Sequence, residues 1–146
     1  MPARPAAIPD LPTAPTVADL IRHGAARFEQ AGLAYGHGMD DAIDEAAALV
    51  FHALDLDHAH AESAYPQRPE AAGLARVLAL FDERIARRVP AAYLMGRMWF
   101  AGLEFEVDPR VIVPRSPFAE LIHSGFAPWI DPAGVRRILD IGTGSG

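Results

Sequence analysis

Arg136-Arg137-Ile138-Leu139-Asp140-Ile141-Gly142-Thr143-Gly144-Ser145-Gly146 is the stretch on which the reading of this chain turns. Its apolar run, Ile138 to Ile141, follows the turn residues Asp131-Pro132-Ala133-Gly134 and reads as a strand buried on both faces of a parallel sheet. Three glycines then alternate with single small residues directly after an acid. Glycine lets the backbone turn off a strand and come close to a ligand that a Cβ would hold away. Dinucleotide-binding loops have the spacing Gly-x-Gly-x-x-Gly, which this loop does not share. A strand and loop of this kind should lead into a helix, and the 146 residues stop before one. The reading is therefore of an α/β (Rossmann-like) domain cut off after its first strand. With no sheet to join, residues 135–146 are expected to pack weakly.

Upstream of that stretch the pattern is helical. Residues 1–15 carry prolines at positions 2, 5, 9, 12 and 15, a composition expected of a flexible tail. Thr16 is a suitable N-cap, and Val17, Leu20, Ile21, Gly24 and Phe28 recur at helical spacing up to Gly32. Tyr35-Gly36-His37-Gly38 is a tight loop whose two glycines imply positive φ or close backbone approach. A second helix is expected from Asp40 or Asp41, with Asp44 and Glu45 in its positive first turn. Its apolar stripe is Ile43, Ala46, Ala47, Val50, Phe51 and Leu54. A polar loop from Asp55 to Arg68 precedes a third helix, opened by Pro69 as a first-turn residue. That helix buries Leu74, Val77, Leu78, Phe81 and Ile85. Arg84, Arg87 and Arg88 suit its negative C-terminal end, and Pro90 stops it.

After Pro90 the residues become aromatic and branched. Met98 to Phe100 and Leu103 to Val107, joined through Gly102, predict a hairpin. A short extended piece follows at Val111 to Val113, and a short helix from Ser116 to Ser124. The expected architecture is mainly α: a helical domain over 16–90, a β-hairpin connector over 91–115, and the start of an α/β domain over 116–146.

Composition bounds the function. The net charge is −6, all 13 positive charges are arginine, and there is no cysteine. An acidic chain is a poor ligand for a phosphate backbone, so strong nucleic-acid binding is not expected. Disulfide and thiolate chemistry are excluded. No apolar run is long enough to span a bilayer and no leader segment is visible, so a cytoplasmic protein is expected. His58 and His60, with Asp55 and Asp57 nearby, stand two apart in a loop, a spacing that seldom closes a metal site; no metal is expected. His37 is read as a loop histidine bonded to nearby backbone. Tyr93, Trp99 and Phe100 are read as packing residues of the core or connector.

A series of separated motifs then narrows the reading. Ala92-Tyr93-Leu94-Met95-Gly96, Trp99-Phe100, Gly102, Phe105, Val107-Asp108 and Val113-Pro114-Arg115 precede the glycine loop in order. This series, ending in alternate glycines after an acid, resembles the HemK-like family of protein-glutamine N5-methyltransferases. Tyr35-Gly36-His37-Gly38, Asp44-Glu45 and Val113-Pro114-Arg115-Ser116-Pro117 resemble its PrmB branch, which modifies a glutamine of the third protein of the large ribosomal subunit. The branch acting on release factors usually has Pro-Arg-Pro-Asp/Glu-Thr-Glu where this chain has Pro114-Arg115-Ser116-Pro117-Phe118-Ala119.

The resemblance implies a helical domain that recognises a protein substrate, a hairpin connector and a catalytic domain that binds S-adenosylmethionine. It implies cofactor contacts from Asp140, Gly142, Thr143, Gly144 and Gly146, with Arg115 near the cofactor or the domain junction. The family's Asn-Pro-Pro-Tyr motif, which would aim the amide nitrogen at the sulfonium methyl, is absent from these residues. No catalytic residue is therefore expected here, nor activity or tight cofactor binding by this chain alone. A release-factor methyltransferase and a non-catalytic helical binding module are the alternative readings.

Overall fold

The computed structural model describes residues 7–36 and 38–143. His37, Gly144 and Gly146 from the sequence expectations lie outside the described residues.

Among the described residues, six α-helices and one hairpin follow in the order α1 (Val17–Gln30), α2 (Ala42–Leu54), α3 (Ala61–Ala64), α4 (Ala71–Arg87), α5 (Ala91–Met95), β1 (Arg97–Phe100), β2 (Leu103–Glu106) and α6 (Phe118–His123), with 3-10 turns at His58–His60 and Pro132–Gly134. Helix α1 starts where Thr16 was expected to cap it. The Thr16 hydroxyl accepts from Asp19 N, and the Asp19 carboxylate accepts from Thr16 N, a reciprocal capping box. Five apolar or small positions expected on its inner face, Val17, Leu20, Ile21, Gly24 and Phe28, are all buried. Gly24 is needed for close approach: a Cβ there would stand 2.5 Å from Phe81 Cζ of α4. The Phe28 and Phe81 rings meet edge to face, with centroids 5.3 Å apart, the arrangement that suits their quadrupoles.

Helix α2 crosses between α1 and α4 and carries the core of the bundle on Ala46, Leu49, Val50 and Phe51. Two expectations for it need correction. Ile43 is exposed rather than part of the stripe, and Leu49 is fully buried. Ala42, Glu45, Ala46 and Leu49 form the inward face at i, i+3, i+4 and i+7, which places Ile43 on the water side. In α4, Val77 and Phe81 are buried as expected, while Leu74, Leu78 and Ile85 are half-buried at the margin. Pro69 does not open α4, because Glu70 is its N-cap and Pro69 lies before it. The loop from Asp55 to Arg68 also holds more structure than expected. Asp57 caps a 3-10 turn by accepting from Ala59 N, and α3 follows at once.

The chain between the bundle and the hairpin is a helical turn, α5, that the apolar run Ala91–Met95 disguised in the sequence. Gly96, at φ +69, ends it and starts β1. The hairpin register pairs Met98 with Phe105 and Phe100 with Leu103 across the two-residue turn Ala101-Gly102. Both turn residues have positive φ, the primed geometry that matches the strand twist. A second, smaller core of Ala92, Met98, Val107 and Val113 lies beneath it. Val111 to Val113 is not a strand, but Val113 is buried and Tyr93 Oη donates to Val111 O at 2.5 Å. Trp99 departs from its expected packing role: it is exposed.

The expected strand is not formed. Residues 136–141 have no regular structure, and Ile138, Leu139 and Ile141 are 87%, 83% and 85% exposed. A parallel strand is stable only with hydrogen-bonded neighbours and covered faces, and the described residues supply neither. The α/β part of the expected fold is thus without a sheet here. No helix of the described residues is long and apolar enough to cross a membrane.

Candidate functional site

The loop at residues 35–39 is where the bundle, the hairpin and the Val113-Pro114-Arg115 segment meet. Gly36 and Gly38 have φ of +103° and +87°, so glycine serves at both positions as expected. Gly36 N donates to Met39 O at 2.9 Å, closing the loop. The Met98 methyl of β1 packs where a Gly38 side chain would otherwise stand. Arg115 donates through Nη1 to Gly36 O at 2.6 Å, across 79 residues of sequence. Arg115 therefore sits at the junction of the segment after the hairpin with the bundle.

Beneath this loop lies a polar group that sequence reasoning missed. Glu45 of α2 and Arg84 of α4 are both buried, with Arg84 Nη2 3.0 Å from Glu45 Oε2. Glu45 Oε1 accepts from Ala91 N, and Arg84 Nη2 donates to Ala34 O. One pair thus holds the loop before the glycines and the first turn of α5. Arg84 was expected only at a helix end; its partner lies one helix away, which local spacing cannot reveal. Arg88, the left-handed C-cap of α4, donates to Ala31 O and Gly32 O, and Arg87 pairs with Glu83. The three arginines do not form one exposed basic group. Tyr35 Oη is buried near Glu45 without a hydrogen-bond partner among the described residues. Burial, and then the Glu45 charge, push its phenol pKa above the usual 10.0.

A groove of about 740 Å³ opens beside the hairpin, with Gly38 and Met39 of the same loop in its lining. One wall is the outer face of α2 and the 3-10 turn, with His52, Asp55, Asp57 and His58. The other is β1, with Arg97, Met98 and Trp99. His58 stacks on Phe51 at 4.6 Å between centroids, and His60 Nδ1 lies 3.0 Å from Asp57 Oδ2. Asp57 has its carboxyl pKa lowered, first by the Ala59 amide and then by His60. These contacts tie the histidines to the turn, and no three His, Asp or Glu side chains of the described residues gather as metal ligands. His52 has a buried Nδ1 without a hydrogen-bond partner among the described residues. Burial, followed by the Arg97 charge, lowers its pKa below 6.5.

No family model matches the chain. Curated proteins do. A ribosomal protein uL3 glutamine methyltransferase of Xanthomonas campestris pv. campestris is 53% identical over 131 residues. Proteins of the same name from Bordetella pertussis and Neisseria meningitidis serogroup B are 49% and 41% identical over 132 residues. Each match takes in 90% of this chain. The chain is related to the uL3 glutamine methyltransferases. It spans 42% to 44% of the length of those three relatives.

Measured against a methyltransferase cofactor loop, the described part of residues 140–146 is unassembled. Asp140, Gly142 and Thr143 are exposed. Gly142 has φ +78 and open space where its Cβ would be, a backbone that fits close approach to a ligand. The residue types fit the cofactor. The cradle they would belong to, a strand in a sheet followed by a helix, is not formed among the described residues.

Proposed function

We propose that this chain is the substrate-recognising part of an S-adenosylmethionine-dependent methyltransferase that N5-methylates a glutamine of ribosomal protein uL3. One observation carries the reading. Curated proteins of that name are 41% to 53% identical over 90% of the chain, a span that takes in the Gly36 to Met39 loop, the hairpin and Arg115. That agreement favours the ribosomal branch over the release-factor branch and over a module of unrelated function.

The division of labour follows from the chemistry. An amide nitrogen is a poor nucleophile because its lone pair is delocalised into the carbonyl. Its methylation depends on positioning it against the donor and on shaping charge around it. The cofactor supplies an electrophilic methyl group when bound. In this chain Asp140, Gly142, Thr143, Gly144 and Gly146 would hold it, once a sheet fixes their strand and a helix follows the loop. Arg115 would brace the junction between that domain and the bundle through its bond to Gly36. The bundle and hairpin, 16–90 and 91–115, would hold the protein substrate, in a cell compartment where ribosomal proteins are made.

The test uses purified uL3, S-adenosylmethionine and mass spectrometry. A longer protein that includes these residues, like the relatives, is expected to add one methyl group to a uL3 glutamine; this chain by itself is expected to add none. Methylation by the 146-residue chain would overturn the assignment of recognition without catalysis, and an unmodified uL3 with the longer protein would overturn the substrate.

A further inference from the structure

The groove beside β1 has the features of a site for an extended polypeptide, the first of them in the hairpin ladder. Val107 N donates to Gly96 O at 3.0 Å, and the register continues as Met98 opposite Phe105 and Phe100 opposite Leu103. In an antiparallel pair, hydrogen-bonded and non-hydrogen-bonded residues alternate. Arg97 and Trp99 are therefore the non-bonded positions, and their N–H and C=O groups point away from β2. None of these groups has a backbone partner elsewhere among the described residues. Side chains from both faces of β1, Met98 on one and Arg97 and Trp99 on the other, border the groove. Glu104 of β2, opposite Trp99 in the ladder, lines it as well.

An open edge with unpaired donors and acceptors is a template for another strand. The walls say what strand. Met39, Met95 and Met98 supply a flexible apolar floor that adapts to different side chains. Trp99 stands exposed at the rim, where an amphipathic ring is a common anchor. Asp55, Asp57 and Glu104 line the same opening as Arg97, and Arg97 is itself 3.7 Å from Glu104. Three carboxylates against one guanidinium favour a cationic guest.

We infer that the groove takes an extended, basic segment of a protein partner as a third strand along the free edge of β1, between the hairpin and the C-terminal end of α2. Resting on the methyltransferase reading above, the partner is the methyl-accepting protein, gripped here through its backbone and away from residues 140–146. Main-chain pairing supplies affinity with little demand on sequence, and the carboxylates select for positive charge.

Hydrogen exchange with purified uL3 as the probe tests the placement on the intact 146-residue chain. At saturating uL3 the amides of Arg97 and Trp99 are expected to slow at least about tenfold, as newly bonded groups do. Trp99→Val keeps the outward N–H but removes the ring, and is expected to weaken binding about threefold to tenfold. Trp99→Pro removes ring and donor without touching the ladder to β2 and is expected to weaken binding about tenfold beyond Trp99→Val, whereas equal affinities for the two variants would overturn the main-chain pairing. The pair Asp55→Asn and Glu104→Gln is expected to weaken binding roughly threefold to tenfold, with the difference shrinking as salt is raised. If Trp99→Pro fails to fold, the exchange measurement on the unaltered chain decides alone. Binding of uL3 without slowing at Arg97 and Trp99, or no binding at all, overturns the inference. Methylation of uL3 by the longer protein is scored separately. Methylation without protection of the edge sinks the docking and leaves the enzyme; protection without methylation does the reverse.

Discussion

Glu45 and Arg84 face each other at 3.0 Å in the interior of the bundle, with side-chain exposures of 5% and 3%. Each also holds a backbone group of a segment that leads to the hairpin junction, Ala91 N for Glu45 and Ala34 O for Arg84. The pair is close but incompletely satisfied: among the described residues Glu45 Oε2 and Arg84 Nε make no aligned hydrogen bond. Taking two charges out of water costs several kcal/mol before their attraction offsets it. The arrangement is therefore better understood as a device for fixing the loop and α5 than as a source of net stability.

Removing one partner should expose that asymmetry. Glu45→Ala or Arg84→Ala leaves a lone buried charge and is expected to cost about 3–5 kcal/mol in chemical denaturation. Glu45→Leu with Arg84→Met, an apolar pair of similar volume, is expected to recover most of that loss. A double variant as unstable as the singles would mean that the pair is needed for stability as such.

Gly24 and Phe81 make a second sensitive contact. Gly24→Ala places a methyl 2.5 to 2.9 Å from three atoms of the Phe81 ring and is expected to destabilise the bundle by about 1–3 kcal/mol, in spite of the better helix propensity of alanine. Phe81→Leu in the same chain should relieve part of the clash. Thermal unfolding of the four combinations measures the coupling.

The capping box of α1 should show in both mutation and pH. Thr16→Ala is expected to cost about 1 kcal/mol. The Asp19 carboxyl, held at about 2 by hydrogen bonds from Thr16 and by Arg22, titrates below the usual 3.8. A lowered carboxyl pKa means that its contribution is complete above 3.8 and is lost as the pH falls through about 2. The unfolding free energy measured by urea denaturation should therefore drop further between pH 5 and pH 1.5 in the parent than in Asp19→Asn, which lacks the titrating carboxylate.

His52 gives a window nearer neutrality. Burial lowers its pKa below 6.5, so the unfolded chain takes up the proton first. Stability from the neutral imidazole is complete above pH 6.5 and is lost as the pH drops through the folded-state value. The melting temperature is expected to fall between pH 7.5 and pH 5, and to fall less in His52→Leu. Equal slopes for the two proteins would remove His52 as the cause.

How far the sequence reached depended on whether a feature was local. Thr16, the inner face of α1 and the Ala101-Gly102 hairpin turn are set by residues within a few positions of one another, and all were legible. Helix α5 was not, because Ala91–Met95 has neither a side-chain cap nor a polar face to show its period. Ile43 was misplaced because a stripe of alanines leaves the phase of a helix open by one position. The Glu45–Arg84 pair spans 39 residues, and the Arg115–Gly36 bond 79; such partners are chosen by tertiary packing. The strand before the glycine loop was not realised, since a parallel strand depends on neighbours outside its own sequence.

Those uncovered apolar side chains have a practical consequence. The bundle buries its own core, yet Ile138, Leu139 and Ile141 stand in water together with the exposed Trp129 and Ile130. A contiguous apolar run with unpaired backbone is adhesive. The shelf life of this chain in solution should thus be governed by colloidal behaviour rather than by unfolding: particles that scatter light would still give the helical spectrum of an intact bundle.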